Sequence, residues 1–355
     1  MIAQRVLTFI RDPRRRDFAS LALAVFDYQF RHNLAYSEFC RLRGRTPATV
    51  GGWREIPTIP AVAFKELDLG CAPAQTTFLT SGTSRGVGRR GRHPVPRLDV
   101  YRESALTHFA ACVLPDGARL RMLALTPPPR FLPESSLAQM VDWVMEAYGT
   151  DKGRYFIDPR GVDLEGFSAE LARAEREGRP VCILALTRAL TIFFEACEAR
   201  GRRFTLPAAS RVMDTGGDKG RGAVMARGDF LAACRRWLGV PEAFCVSEYG
   251  MTELCSQFYD NALCNTVAKK SGGRFKVGPA WTRTVVVDPE TLAETAPGVS
   301  GILCHFDLAN CGSVMAVQTD DLGYAVEDGF EIVGRAPEAE VRGCALALED
   351  LLSPR

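Results

Sequence analysis

Apolar residues recur at spacings near 3.6 along residues 17–43, with Phe18, Leu21, Val25, Tyr28, Phe39 and Leu42 on one face and Gly44 stopping the run. That pattern predicts a helix. A stretch punctuated by Pro47, Pro57 and Pro60 follows, then Ala61–Glu66, and residues 98–113 carry a second helical pattern. From there strands and helices alternate. Strands are predicted at Arg119–Leu125, Arg154–Ile157, Val181–Leu186, 210–214 and Ala243–Val246. Helices are predicted at 134–148 (opened by Glu134-Ser135-Ser136), 163–177, 187–200 and 228–238. Alternation of this kind argues for an α/β fold with parallel strands. From about residue 274 the texture changes. Thr282–Val287, Gly301–Phe306, Val314–Gln318 and Phe330–Val333 are short, β-branched and separated by turn residues, which reads as a smaller, mainly antiparallel β subdomain. The expected division is therefore 1–270, an α/β core with an N-terminal helical segment, and 271–355, a small β subdomain with a hinge-like C-terminal tail.

Composition sharpens this picture only slightly. With 355 residues, 46% hydrophobic and 24% charged, the chain has enough length for a large globular core. A net charge of +2 gives no global field toward nucleic acid or a membrane surface. Arginine is clustered at Arg14-Arg15-Arg16, read as a solvated face, and across Arg85, Arg89, Arg90, Arg92 and Arg97, where steering of an anion is an equal reading. Twelve cysteines include no CxxC pair and no zinc-like spacing. The first residues, MIAQRVLTFIRDPRRR, hold too short an apolar stretch for a signal peptide, and no run reaches the length of a membrane span. A cytoplasmic, reduced protein with mostly buried thiols is expected. His32, His93, His108 and His305 sit in no Ser/His/Asp or HExxH context and are read as structural.

Four segments carry candidate chemistry. The apolar run Thr76–Leu79 passes into Thr80-Ser81-Gly82-Thr83-Ser84-Arg85-Gly86. Glycines there let the backbone turn tightly, while backbone N–H groups and hydroxyls supply donors to a polyanion. Asp214-Thr215-Gly216-Gly217 ends a strand with two positions free of side chains, where a flat ring can lie against the backbone. Ser247-Glu248-Tyr249-Gly250-Met251-Thr252-Glu253, after the strand Ala243–Val246, gathers an aromatic ring, a hydroxyl and a carboxylate. The carboxylate suits Mg²⁺, which takes few protein carboxylates together with substrate phosphate oxygens. Gln318-Thr319-Asp320-Asp321 places paired acids at a predicted strand end, suited to ribose hydroxyls, with Gly334-Arg335 farther on. In open α/β sheets ligands bind outside the carboxyl ends of strands. Taken singly, each segment reads equally well as a turn or a helix start.

In this order the segments resemble the adenylate-forming superfamily of acyl-CoA synthetases, adenylation domains and luciferases. Thr80–Gly86 resembles its phosphate loop, and Gly216-Gly217 its adenine-facing glycines. Tyr249–Glu253 matches its Tyr-Gly-x-Thr-Glu motif. Thr319-Asp320-Asp321 resembles its ribose motif, with Asp321 in the aspartate place, and Gly334-Arg335 and Arg342-Gly343 resemble its hinge. The loop of larger members continues into a Pro-Lys pair; here Arg85, or Arg89 or Arg90, takes that place. Only eleven residues follow Cys344, so the resemblance implies the N-terminal domain of that fold without its usual C-terminal lid. Ile59-Pro60, Phe64-Lys65-Glu66, Glu248–Glu253 and Arg342-Gly343-Cys344-Ala345-Leu346 are similar to the acyl-protein synthetase (LuxE) family. That family activates a fatty acid with ATP and carries the acyl group on its own cysteine before passing it to a reductase partner. The resemblance implies ATP and Mg²⁺ as cofactors and a carboxylic acid as substrate. It places the pyrophosphate end on Thr80, Ser81, Gly82, Thr83, Ser84 and Gly86 with Arg85, and the α-phosphate on Thr252. Mg²⁺ falls to Glu253, the adenine to Gly216, Gly217, Tyr249 and Gly250, the ribose to Asp321 and Arg335, and the acyl group to Cys344. A ligase delivering to a carrier protein or coenzyme A, and a decayed nucleotide-binding regulatory protein, are the competing expectations.

Overall fold

The computed structural model describes residues 1–15, 17–80, 90–151, 153–216 and 225–336. The chain divides into two compact units that alternate along the sequence. One comprises Met1–Thr107, Gly250–Phe258 and Phe275–Arg355; the other comprises His108–Tyr249 and Tyr259–Arg274.

The second unit holds the parallel sheet. Its strands run in the order Cys245–Tyr249, Arg211–Thr215, Val181–Leu186, Arg121–Leu125, Arg154–Tyr155, with every neighbouring pair parallel. Helices Ser136–Tyr148, Leu164–Glu177, Thr187–Arg200 and Arg227–Leu238 supply the crossovers. The central strand, VCILAL, is buried over five of its six residues, the continuous apolar run expected of a parallel strand covered on both faces. Phe156, Phe167, Phe193, Phe194, Phe204 and Phe230 form one core with Leu190, Val212 and Trp237. Ser135 caps the helix Ser136–Tyr148, accepting from Ala138 N, and Asp163 caps Leu164–Glu177, accepting from Gly166 N.

In the first unit, strands Thr282–Val287, Gly301–Asp307, Ala316–Val326, Gly329–Arg335 and Lys276–Val277 are antiparallel in that order. Ile59–Pro60 adds to Ala316–Val326 in parallel. The antiparallel texture expected after residue 274 is present, but two strands outrun their apolar stretches. The hairpin Val326↔Gly329 extends the pairing of Ala316–Val326 and Gly329–Arg335 through polar residues. Asp320 and Asp321 consequently lie inside a strand and not at its end. Gly323 is required there, because a Cβ would lie 2.2 Å from Glu331 O.

The N-terminal helical run also differs from its periodicity. Residues 17–43 form two helices, Phe18–His32 and Leu34–Leu42, separated by Asn33. Asn33 is extended (φ −120°, ψ 99°), and its side chain accepts from Tyr36 N, so it ends one helix and caps the next. An unpredicted helix, Ile2–Arg11, buries Ala3, Val6, Leu7, Phe9 and Ile10. Gln29, fully buried, donates from Nε2 to Asn310 O (3.0 Å) and accepts at Oε1 from Met315 N (3.2 Å). This fixes the helix Phe18–His32 to the turn between strands Gly301–Asp307 and Ala316–Val326.

Candidate active site

In the first unit the candidate site begins at a two-stranded hairpin. Thr76–Leu79 and Arg92–Val95 are antiparallel, with Leu79 opposite Arg92. At its neck Thr80 N donates to Gly91 O (2.9 Å), and Gly91 N donates to Thr80 Oγ1 (2.8 Å). Arg90 donates from Nε to Thr80 O (2.6 Å) and from an η nitrogen to Leu79 O (3.3 Å). The neck of the Thr/Ser/Gly loop is thus closed by main chain, a hydroxyl and a guanidinium. Ser81, Gly82, Thr83, Ser84, Arg85 and Gly86 lie outside the described residues, as do Gly217 and Cys344.

The hairpin is joined to the Gly250–Glu253 segment by a buried polar cluster. On the strand Arg92–Val95, His93 has Nδ1 2.6 Å from Thr252 O and Nε2 2.7 Å from Asn310 Oδ1. Asn310 Nδ2 donates to Glu253 O (2.8 Å) and Val314 O (2.7 Å). Three residues before Asn310, Asp307 accepts from Cys255 N (2.9 Å), Ser256 Oγ (2.7 Å) and Ala309 N (2.9 Å). Ser256 Oγ also receives the Trp281 indole N–H (3.1 Å). The backbone from Thr252 to Ser256 is therefore held at successive residues, leaving the Thr252 and Glu253 side chains on a fixed support. Replacing Asn310 with alanine strips the partner from two buried carbonyls and an imidazole. The expected loss is about 3 kcal/mol of unfolding free energy in urea titration, with a parallel fall in activity.

The electrostatics of the cluster are set by burial. Desolvation pulls the His93 pKa down to about 4, against the raising effect of its bonds to Asn310 and Thr252. His305, buried with its ring 4.5 Å from that of Phe258, is lowered by desolvation to about 3. Desolvation raises Asp307 to about 6, outweighing its hydrogen bonds. The signs differ. The two histidines contribute stability that is complete above their unfolded pKa and is lost as pH falls through the folded values. Asp307 contributes stability present below the unfolded carboxylate pKa and lost as pH rises through about 6. From these three groups, unfolding free energy is expected to be about 2 kcal/mol lower at pH ~5 than at pH ~6.5, measured by urea unfolding.

On the strand Ala316–Val326, Asp321 faces Arg335 in register, and Arg335 Nε donates to Asp321 Oδ1 (3.2 Å). Thr319 Oγ1 donates to Leu303 O (2.9 Å) and accepts from Asp321 N (3.0 Å). The two residues assigned to one sugar are thus brought together.

In the second unit, Ser247, Glu248 and Tyr249 lie within the strand Cys245–Tyr249, not after it as the sequence suggests, and a 3₁₀ turn, Glu242–Phe244, precedes them. Glu248 pairs in register with Thr215, whose hydroxyl donates to the Glu248 carboxylate. Tyr249 is the last residue of its strand, and Gly216 follows the end of the neighbouring parallel strand Arg211–Thr215. Gly216 has φ +84° and only Leu186 Cδ2, at 4.0 Å, near the position of a Cβ. Asp214 is occupied structurally, accepting from Arg227 (2.7 Å) and Thr187 (3.2 Å). Asp260 likewise accepts from Ser247 N (2.8 Å) and Arg274 (3.0 Å).

The described cysteines are free thiols, buried except for the half-buried Cys264. Burial raises Cys40, Cys71, Cys182 and Cys311 to about 12 and Cys197 to about 11, which keeps them as unreactive thiols. Among the described residues no three His, Cys, Asp or Glu side chains gather into a metal nest, and no helix is long and apolar enough to cross a membrane.

Asn310 escaped the sequence reading, and His93, read there as structural, turns out to hold the backbone of the Thr252–Glu253 segment. Each is a single polar residue in an otherwise ordinary stretch, and neither belongs to a motif.

Comparison with known proteins bears on the family and the fold. The family described as acyl-protein synthetase, LuxE, matches residues 1–353. A long-chain-fatty-acid–luciferin-component ligase of Vibrio harveyi is 23% identical over 350 residues, covering 94% of this chain and 88% of its own. That of Aliivibrio fischeri is 22% identical over 347 residues, with the same coverage of 94% and 88%. Among solved structures, an open conformation of 2-hydroxyisobutyryl-CoA ligase, in complex with 2-HIB-AMP and CoA, aligns with a TM-score of 0.62 at 13% identity. The alignment covers 88% of this chain and 73% of that one. The luciferase-like enzyme of the mealworm Zophobas morio aligns with a TM-score of 0.52 at 15% identity, over 77% and 59%. The fold is that of the adenylate-forming enzymes, and the chain belongs to the LuxE acyl-protein synthetase family.

Proposed function

We propose that this AMP-forming ligase activates a long-chain fatty acid and carries the acyl group on Cys344 before handing it to a protein acceptor. In the first half-reaction a carboxylate oxygen attacks the α-phosphorus of ATP. The new P–O bond forms as the bond to the β-phosphate bridge breaks, giving acyl-adenylate and pyrophosphate. In the second, a thiolate attacks the acyl carbon, a C–S bond replaces the C–O bond, and AMP leaves. Positioning and charge neutralisation carry the first step; thiolate nucleophilicity carries the second.

The observation that supports this reading best is the His93–Asn310 link. It holds Thr252 and Glu253 against the neck of the phosphate loop. On this reading Thr80, Ser81, Gly82, Thr83, Ser84 and Gly86 cradle the pyrophosphate end with Arg85, and Thr252 donates to the α-phosphate. Asp321 and Arg335 take the ribose, while Gly216, Gly217, Tyr249 and Gly250 take the adenine. Glu253 is a single carboxylate on a rigid support, and such a ligand fits Mg²⁺, which brings phosphate oxygens and water as its other ligands. When bound, the metal would neutralise charge on the phosphates, and Glu253 and Thr252 would fix where that charge sits.

Incubation with radiolabelled fatty acid, ATP and Mg²⁺, without any acceptor, tests the assignment. Self-acylation labels the chain with a hydroxylamine-sensitive thioester. An enzyme that delivers only to a carrier protein or coenzyme A stays unlabelled and releases AMP on adding the acceptor.

A further inference from the structure

We propose that Lys65 supplies, beside Arg85 of the loop, a second phosphate-neutralising cation of the kind that larger adenylate-forming enzymes place in the loop itself. This rests on the adenylate reading above and adds a residue to it. The short helix Ala63–Glu66 is fixed on two sides. Ahead of it, Ile59–Pro60 pairs with the strand of Asp320 and Asp321, and Ala61 N donates to Gln318 O (2.8 Å). Within it, Phe64 packs edge-on against the His93 ring, with centroids 5.6 Å apart. Lys65 is thereby carried between the loop hairpin and the ribose strand.

Its stem runs along the loop neck. A Cβ on Gly91 would lie 3.7 Å from Lys65 Cγ and 2.8 Å from Thr80 Cγ2. Glycine at position 91 leaves that passage open. Its charge acts at the other side of the site. Desolvation raises the Asp320 pKa and Asp321 raises it further, whereas Arg335 and Lys65 lower it. Lys65 thus lies beside the loop neck, at Gly91, and within electrostatic reach of Asp320 on the strand assigned to the ribose. Arg90, the described arginine at the loop neck, instead turns its guanidinium onto the Thr80 and Leu79 carbonyls, which assigns it to holding the neck. A compact ammonium on a flexible stem suits a charge that must follow pyrophosphate as it leaves.

The test separates the half-reactions. In Lys65→Gln, acid-dependent ATP–pyrophosphate exchange is expected to fall about 100-fold, in the range of a lost oxyanion donor. Thioester formation from chemically synthesised acyl-adenylate should stay within about twofold of the parent, because the phosphate bond is already made. Lys65→Arg should recover most of the exchange. In the parent protein, ATP should slow reductive methylation of Lys65, read by peptide mass spectrometry. Exchange at the parental rate in Lys65→Gln overturns the proposal. So does an equal fall in both half-reactions, which marks a structural lysine, or methylation of Lys65 indifferent to ATP. Absence of any acid-dependent exchange in the parent enzyme overturns the adenylate reading, and this inference with it.

Discussion

Glu253→Ala is expected to lower acid-dependent ATP–pyrophosphate exchange about 10³-fold while leaving the fold intact. The expectation follows from which atoms of residue 253 do what. Its carbonyl oxygen, not its carboxylate, accepts from Asn310 Nδ2, so truncation to alanine keeps the tie to the buried cluster. The flanking contacts of Thr252 O to His93 and of Cys255 N to Asp307 are also main-chain contacts. What alanine removes is the carboxylate on that support. Losing a preorganised group that positions developing phosphate charge costs roughly 10²–10³ per interaction, and losing a metal contact adds to it. The variant should melt within a few degrees of the parent, as expected for a half-buried polar side chain. Normal exchange in Glu253→Ala would remove the metal role from this residue.

Cys344→Ser should have the opposite signature: exchange retained, covalent acylation gone. A serine hydroxyl near neutral pH is far less ionised than a thiol and needs a base to act, so the second half-reaction stops while the first proceeds. The case for this cysteine gains from the others. Those the structure describes are buried apart from Cys264, and a thiol pushed to about 12, as in Cys71 or Cys311, stays protonated. Cys264 is the informative control. It is half-buried, and its pKa is lowered by its hydrogen bond with Cys112. Retained hydroxylamine-sensitive labelling in Cys344→Ser, abolished in Cys264→Ser, would move the carrier role to Cys264.

The parallel half of the fold was legible because burial on both faces writes itself into the sequence. VCILAL at 181–186 is apolar throughout, and helices with capping residues such as Ser135 and Asp163 flank such runs. Strand ends were less legible, since pairing is imposed by the neighbour. Ser247, Glu248 and Tyr249 are polar or amphipathic, yet they extend their strand because Asp214 and Thr215 lie in register beside them. Asp320 and Asp321 sit mid-strand for the same reason, paired across the hairpin with the strand of Arg335. Asn33 was hidden by its neighbours: apolar periodicity continues on both sides of the break, and a capping side chain leaves no gap in it.

The motif Tyr249–Glu253 could be read directly, because its chemistry is local to five residues. Its support could not. His93 and Asn310 are 217 residues apart and meet only through the folded topology. Lys65 was visible as part of Phe64-Lys65-Glu66, but its place beside Gly91 depends on the pairing of Ile59–Pro60 with a strand far along the chain. Sequence order likewise suggests a linear break near residue 270, whereas compactness groups the N-terminal helices with the C-terminal strands. Contacts that close over long loops leave no periodic signal in either partner.

The most direct test of acid activation is exchange of labelled pyrophosphate into ATP, scored across saturated carboxylic acids from acetate to palmitate. Exchange that demands both Mg²⁺ and an acid, and rises with chain length, is the predicted result. Exchange absent with every acid, or equally fast with none added, would contradict it.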